Sequence, residues 1–336
     1  LFTFLLQVHL SYEIPLQVKS LSDPQRIFGL DVLRATAILT VVMGHSLPWA
    51  PASMRPLISW FSLPGVTLFF VLSGYLIGGI LIHTLEKGQT DVRDMGRFWA
   101  RRWMRTLPAY YVTLLILFAL HWLFQPGFHP RAYLAFLWFG QNLLSAHPVG
   151  FFDEAWSLAV EEWFYLLSPV FLWGLIRWRK VSVRQAILVT AILFTLVAWG
   201  MRLYHWGQGH IREDMDWDLL QRKQVFTRFD SLMLGVLAAY VARYHPRIWL
   251  RAPRVCLAIG MLGLLVQQRV LQVVPHDFLL EETPIYSNLL YLFLDSLGTA
   301  LCLPFLSQWK QAKGKWKWAQ AITFISLVSY SWYLVH

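Results

Sequence analysis

FGLDVLRATAILTVVMGHSLPW, Phe28 to Trp49, is the stretch whose reading decides the fold. At 1.5 Å per helical residue it matches the roughly 30 Å hydrocarbon core of a bilayer, yet it carries three groups that hydrocarbon excludes, Asp31, Arg34 and His45. Arg34 to His45 is eleven steps, about three turns plus roughly 20°, so the two share one face about 16 Å apart along the axis. Asp31, three residues before Arg34, joins that face, and an ion pair between them inside the bilayer is expected. Ionisable groups are costly in a membrane and face polar cavities, so this helix is the first candidate for chemistry.

The whole chain fits that reading. Of its 336 residues 57% are hydrophobic and only 14% charged, against about 25% charged in soluble domains, so lipid is the main solvent. The formal charge of +10 does not point to nucleic acid, because the Lys and Arg lie in short loops between apolar runs. Cys256 and Cys302 both sit inside apolar runs, without disulfide or metal-ligand spacing. No His/Cys/Asp/Glu group has ligand spacing, so no metal is expected. Residues 1–26 lack the layout of a signal peptide and read as a tail before the first span.

Nine runs are long enough to cross: 27–48, 60–82, 107–124, 156–176, 185–204, 226–242, 254–274, 286–306 and 319–336. A tenth apolar segment, Ala132 to Ser145, is short and flanked by Pro126, Pro130 and Pro148. Cytoplasmic loops carry the excess of Lys and Arg. With the N-terminus inside and 132–145 not crossing, twenty basic residues fall inside and five outside, and the clusters Asp153/Glu154, Glu213/Asp214/Asp216/Asp218 and Asp277/Glu281/Glu282 fall outside. Making 132–145 a full crossing would reverse every later loop, so it reads as a re-entrant or interfacial helix. The fold class is therefore an all-α, polytopic transmembrane bundle of about nine spans, one membrane-embedded domain over 27–336. The last apolar run stops at His336 without a polar tail, so a further span beyond it is expected.

Four constellations carry candidate chemistry. His45 falls near the outer end of its span, where a neutral imidazole can take a proton from a hydroxyl; a histidine at a helix end can equally be inert. In WSLAVEEWFYLLSP, Trp156 to Pro169, the adjacent Glu161 and Glu162 lie about two turns into a helix in the outer half of the membrane, pointing about 100° apart. Either suits orienting His45 or binding an acceptor. In RFWARRWMRTLPAY, Arg97 to Tyr110, Arg102 and Arg105 stand at i and i+3 on the cytoplasmic side and offer guanidinium forks to phosphate. In TRFDSLMLG, Thr227 to Gly235, Arg228 and Asp230 open a span, as a structural ion pair or, with Trp156, as contacts to substrate. Ser73-Gly74 and Gly78-Gly79 read as small residues allowing close helix contact.

LDVLRATAILTVVMGH, FFVLSGYLIG, RRWMRTLPAY, WSLAVEEWFYLLSP, TRFDSLMLGVLAAY and SYSWYLVH, in this order, resemble the acyltransferase 3 family of integral membrane acyltransferases. The resemblance covers about residues 27–336. It implies cytoplasmic acetyl-CoA or another acyl-CoA as donor, and a hydroxyl at the outer face as acceptor, on lipopolysaccharide, exopolysaccharide or a related carbohydrate. It implies a bacterial cytoplasmic (inner) membrane as the location, with lipid as the surrounding partner. His45 then takes the place of the family's essential histidine, with Arg34 its partner. Arg102 and Arg105 take the Arg-x-x-Arg positions, and Glu161 or Glu162 the acid's. The expected mechanism makes His45 the general base, lets Asp31 and Arg34 line the thioester path, and gives the CoA phosphates to Arg102 and Arg105. The alternative is a multi-span transporter or flippase using the same buried charges, against which no pair of broken helices appears in matching halves.

Overall fold

The computed structural model describes residues 26–61, 63–273, 282–310 and 317–336. The tail up to residue 25 lies outside the described residues, as do Asp277, Glu281, Lys313 and Lys315 of the charge count. Among the described residues there are helices and irregular chain but no strand. Nine long helices among the described residues, one in each apolar run, order the bundle: α1 (Phe28–Ser46), α2 (Gly65–Glu86), α3 (Val92–Phe124), α4 (Ala155–Arg179), α5 (Val183–Gly207), α6 (Phe229–Tyr244), α7 (Pro253–Val273), α8 (Tyr291–Leu306) and α9 (Lys317–Val335). Local chemistry sets several ends. At the start of α5, Ser182 and Gln185 form a reciprocal capping box, Gln185 N donating to Ser182 Oγ at 3.3 Å and Ser182 N to Gln185 Oε1 at 3.0 Å. The Asp91 N–H donates to the Asp94 carboxylate at 3.2 Å where α3 begins.

Six of the helical stretches are long and apolar enough to span a bilayer by themselves, and a seventh counts if Asp214–Arg222 and Phe226–Tyr244, bent by 80° at their junction, form one broken span. The count falls below the nine spans expected, α7 and α9 not being among these helices. The outward residues of α5, including Leu188, Ile192 and Leu196, are exposed and apolar, as a lipid-facing helix requires. The protein is an integral membrane helical bundle.

The segment 132–145 does not cross, as expected, and only its first part is helical. Pro130–Trp138 forms a 3₁₀ helix of nine residues, about 18 Å long, too short to cross. Phe139 then turns the chain through a left-handed conformation (φ 60°) into irregular structure. The reason is side-chain capture of its backbone. Tyr110 and Tyr111 of α3 donate to the carbonyls of Phe136 and Leu137, each at 2.8 Å, and Trp163 of α4 donates to the Phe139 carbonyl at 3.0 Å. Gln141 and Asn142 donate in turn to the carbonyls of Ala155 and Trp156. Non-helical chain at this position is thereby sewn to α3 and α4.

The tightest packing is between α2 and α6. A Cβ on Gly74 would lie 1.9 Å from the Leu232 carbonyl oxygen, and one on Gly235 would lie 2.1 Å from that of Val71. The two backbones touch only because both residues are glycine. Gly78 sits 2.9 Å from Val236 Cα by the same measure, whereas Gly79 faces open space and is no contact residue.

Candidate functional site

Three polar clusters follow one another along the length of the bundle, and α9 touches all of them. At the N-terminal end of α1, Asp31 is held by Arg26, which binds both carboxylate oxygens, and by Ser326 of α9, whose Oγ donates to Oδ1 at 2.8 Å. Arg34 stands at 3.9 Å from Asp31 and donates to Ser326 Oγ at 3.4 Å. The expected Asp31–Arg34 pair is therefore secondary. Arg26, on the extended chain before the helix, can turn its planar fork onto the carboxylate, whereas Arg34 reaches it only edge-on from the next turn. Arg34 also feels the charges of Arg105, Arg26 and Arg102, so four guanidiniums share this end.

The second cluster lies between α3 and α4. Arg102 meets Glu161 at 3.6 Å and donates to the Tyr165 hydroxyl, and Ser73 of α2 donates to Glu161 Oε1 at 2.7 Å. Thr106 donates to the buried Glu162 at 3.0 Å, and Tyr330 of α9 donates to the Thr106 carbonyl at 2.8 Å. Two expectations are corrected here. Arg102 and Arg105 do not present paired forks, because Arg102 is turned onto Glu161 and Tyr165 while Arg105 stays exposed. Nor do Glu161 and Glu162 lie beside His45. Seven residues further along α4 than Glu154, Glu161 is about 10 Å deeper. A shallow, mostly apolar depression lined by Leu85, Phe98, Pro169 and Trp173 among others begins one turn from this cluster, since Phe98 precedes Arg102 and Pro169 follows Tyr165 by four residues.

The third cluster is at the far end of α1. The His45 side chain is 60% exposed, with Nδ1 at 3.9 Å from Glu154 Oε1. Its ring stacks on His336, centroids 4.8 Å apart and planes 26° apart. Burial pushes the Glu154 carboxyl above its ordinary range. Tyr333 secures the neighbourhood, its hydroxyl sharing a 2.7 Å hydrogen bond with Ser157 and donating to the Glu154 carbonyl at 3.3 Å. One ligand atom each from His45, Glu154 and His336 lie within 4.8 Å of one another, a set able to hold a metal ion. Local spacing gave no sign of it, because the three are more than a hundred positions apart in sequence. Trp49, Trp60 and Trp122 are exposed and belong to the flanks of the same chain ends, as interfacial aromatics do.

Arg228, Asp230 and Trp156 are enclosed. Arg228 donates to Thr67 Oγ1 at 2.8 Å and lies over the Phe70 ring, Asp230 pairs with the fully buried Arg202 at 2.9 Å, and Trp156 packs edge-on against Phe70. Among the described residues no hydrogen bond or ion pair joins these three side chains to the clusters along α9. Sequence reasoning missed Arg26, Glu154, Ser326, Tyr330, Tyr333 and His336. The last three lie in SYSWYLVH, and Ser326, Tyr330 and Tyr333 fall within about 60° on one face of α9; that polar stripe was the available signal.

The acyltransferase domain family, acyltransferase 3, matches residues 27–336. The chain belongs to that family. It is 34% identical over 170 residues to the peptidoglycan O-acetyltransferase OatA of Listeria monocytogenes, covering 45% of this chain and 25% of that protein. It is 27% identical over 243 residues to the O-acetyltransferase OatA of Staphylococcus aureus, covering 67% of this chain and 36% of that one. The chain thus spans roughly a quarter to a third of the lengths of these family members. No solved structure matches.

Proposed function

We propose that the chain is a membrane O-acyltransferase moving an acetyl or other short acyl group from acyl-CoA, bound at the arginine end, to a carbohydrate hydroxyl at the His45 end. The reading rests on family membership and on one observation above all. His45 is open to solvent beside Glu154, at the opposite end of α1 from the four clustered guanidiniums. Exposed Arg105, with Arg26 and Arg34, has the charge for CoA phosphates. The positive-inside count supports placing the arginine end in the cytoplasm and the His45 end outside. A cell-wall glycan, as in the Listeria relative's name, is the acceptor class this orientation suits.

In the proposed step Glu154 holds the His45 Nδ1–H, and Nε2 takes the proton of the acceptor hydroxyl. The hydroxyl oxygen forms the new C–O bond as the thioester C–S bond breaks, and CoA leaves as thiolate, to which the proton returns. The 3.9 Å His45–Glu154 gap would close on substrate binding, as catalytic hydrogen bonds often do. The test supplies radiolabelled acetyl-CoA to purified protein with peptidoglycan fragments. Label appears in the glycan with wild type and falls about 10²-fold or more with His45→Ala. Undiminished transfer by well-folded His45→Ala overturns the assignment.

A further inference from the structure

Beyond the acyl-transfer reading, the outer cluster has the composition of a metal site. We propose that His45, Glu154 and His336 bind a divalent d-block cation, Zn²⁺ being the type, and that its occupancy withdraws His45 from proton transfer. The second clause rests on the general-base reading; the first does not.

Two imidazoles and one carboxylate, with a fourth position open to solvent, form a donor set that suits zinc. The geometry needs little change. Ligand atoms on a tetrahedral zinc at about 2.0–2.1 Å lie roughly 3.4 Å apart. Here His45 Nδ1 and Glu154 Oε1 are 3.9 Å apart, and all three ligand atoms fall within 4.8 Å. The His45 side chain, 60% exposed, is free to rotate by the remaining ångström and leaves the ion a way in.

His336 supplies the independent observation. Its Nδ1 lies 2.9 Å from the Tyr333 carbonyl oxygen, which only accepts, so Nδ1 carries the hydrogen and Nε2 keeps its lone pair. That Nε2 is buried and has no partner in the protein. A backbone carbonyl on one ring nitrogen with the other left free is how proteins orient metal-binding histidines. The Glu154 side is fixed similarly, since Tyr333 and Ser157 tie the chain around it. A neutral His45 bound to the ion through Nδ1 carries its one hydrogen on Nε2, the nitrogen that takes the proton in the proposed step, so metal binding and proton transfer exclude one another.

The test uses full-length protein purified without a polyhistidine tag, stripped with chelator and titrated with Co²⁺ in detergent, then with Zn²⁺. The expected result is the visible absorption of four-coordinate Co²⁺, saturating at one equivalent and abolished by Zn²⁺. Glu154→Gln and His336→Gln should each weaken binding by more than the roughly 10–100-fold that loss of an outer-shell partner costs. His336→Ala is run beside His336→Gln, with each variant's thermal midpoint confirming its fold. Absence of the bands, or bands unchanged in His45→Ala, Glu154→Gln and His336→Gln alike, overturns the proposal. Wild-type acyl transfer should fall as Zn²⁺ saturates the site. Binding without inhibition overturns the competition clause, and bands together with undiminished transfer by His45→Ala would instead remove the general-base reading.

Discussion

Replacing Gly74 by Ala adds one methyl group at the most crowded helix contact in the bundle. Built on the existing backbone, that Cβ lies 1.9 Å from the Leu232 carbonyl oxygen, 2.8 Å from its carbon and 3.1 Å from its Cα. Ordinary contact begins near 3.4 Å, so α6 would have to retreat by about 1.5 Å, and all three of the nearest atoms are backbone that cannot swing aside. Overpacking of this kind costs about 1–3 kcal/mol, and a backbone obstacle places it at the upper end, about 3 kcal/mol. Gly79, five residues later on the same helix, is the matched control. Its Cβ would meet nothing within 4 Å, so Gly79→Ala should be neutral or stabilising by up to about 1 kcal/mol through helix propensity alone. Both variants, purified in detergent, are unfolded by increasing the SDS fraction in mixed micelles, following helix content. The reasoning predicts that Gly74→Ala unfolds well before wild type and Gly79→Ala does not. Equal midpoints for the two would show that the α2–α6 contact is not set by glycine. Because Ser73 is bonded to Glu161, Gly74→Ala should lower acyl transfer as well.

Glu154→Gln keeps the size of the side chain but removes the charge beside His45, and should lower kcat by at least about 10-fold with KM little altered; an unchanged kcat would separate Glu154 from the chemistry. Asp230→Ala should destabilise the protein by about 3–5 kcal/mol by stranding fully buried Arg202, whereas Arg202→Met with Asp230→Leu should recover most of that loss in the same SDS assay. His147, in the loop before α4, has its ring pushed down to about 4 by burial, so between pH 4 and 6.5 the unfolded chain binds the extra proton and the folded one does not. Stability contributed by the neutral ring is therefore full above pH 6.5 and lost as pH falls towards 4, by up to about 3 kcal/mol. Thermal midpoints of His147→Leu should be flatter than wild type across that window, and parallel curves would count against it.

The long helices were legible because a run of about twenty apolar residues has few alternatives in a bilayer. That 132–145 does not cross was legible too, from the charge count; its detailed conformation was not, because that is decided by Tyr110, Tyr111 and Trp163, donors on other helices whose direction only the assembled bundle reveals. The same holds for the site. The Arg34-to-His45 spacing on α1 pointed to a functional face, yet which carboxylate neighbours His45 depends on how far α4 slides along α1. A shift of two helical turns separates Glu161 from Glu154 in that role. Asp31 went to Arg26 because that residue lies outside the helical periodicity from which the pairing was read.

The stripe of Ser326, Tyr330 and Tyr333 has a consequence for biogenesis. Helix α1 is synthesised nearly three hundred residues before the helix that closes all three clusters. While the intervening helices insert, Asp31 is already neutralised by its neighbour Arg26, so α1 can wait in the lipid without a bare charge. The three clusters are complete only when α9 docks. On the proposed reading, an unfinished chain has no completed route along which to waste a thioester.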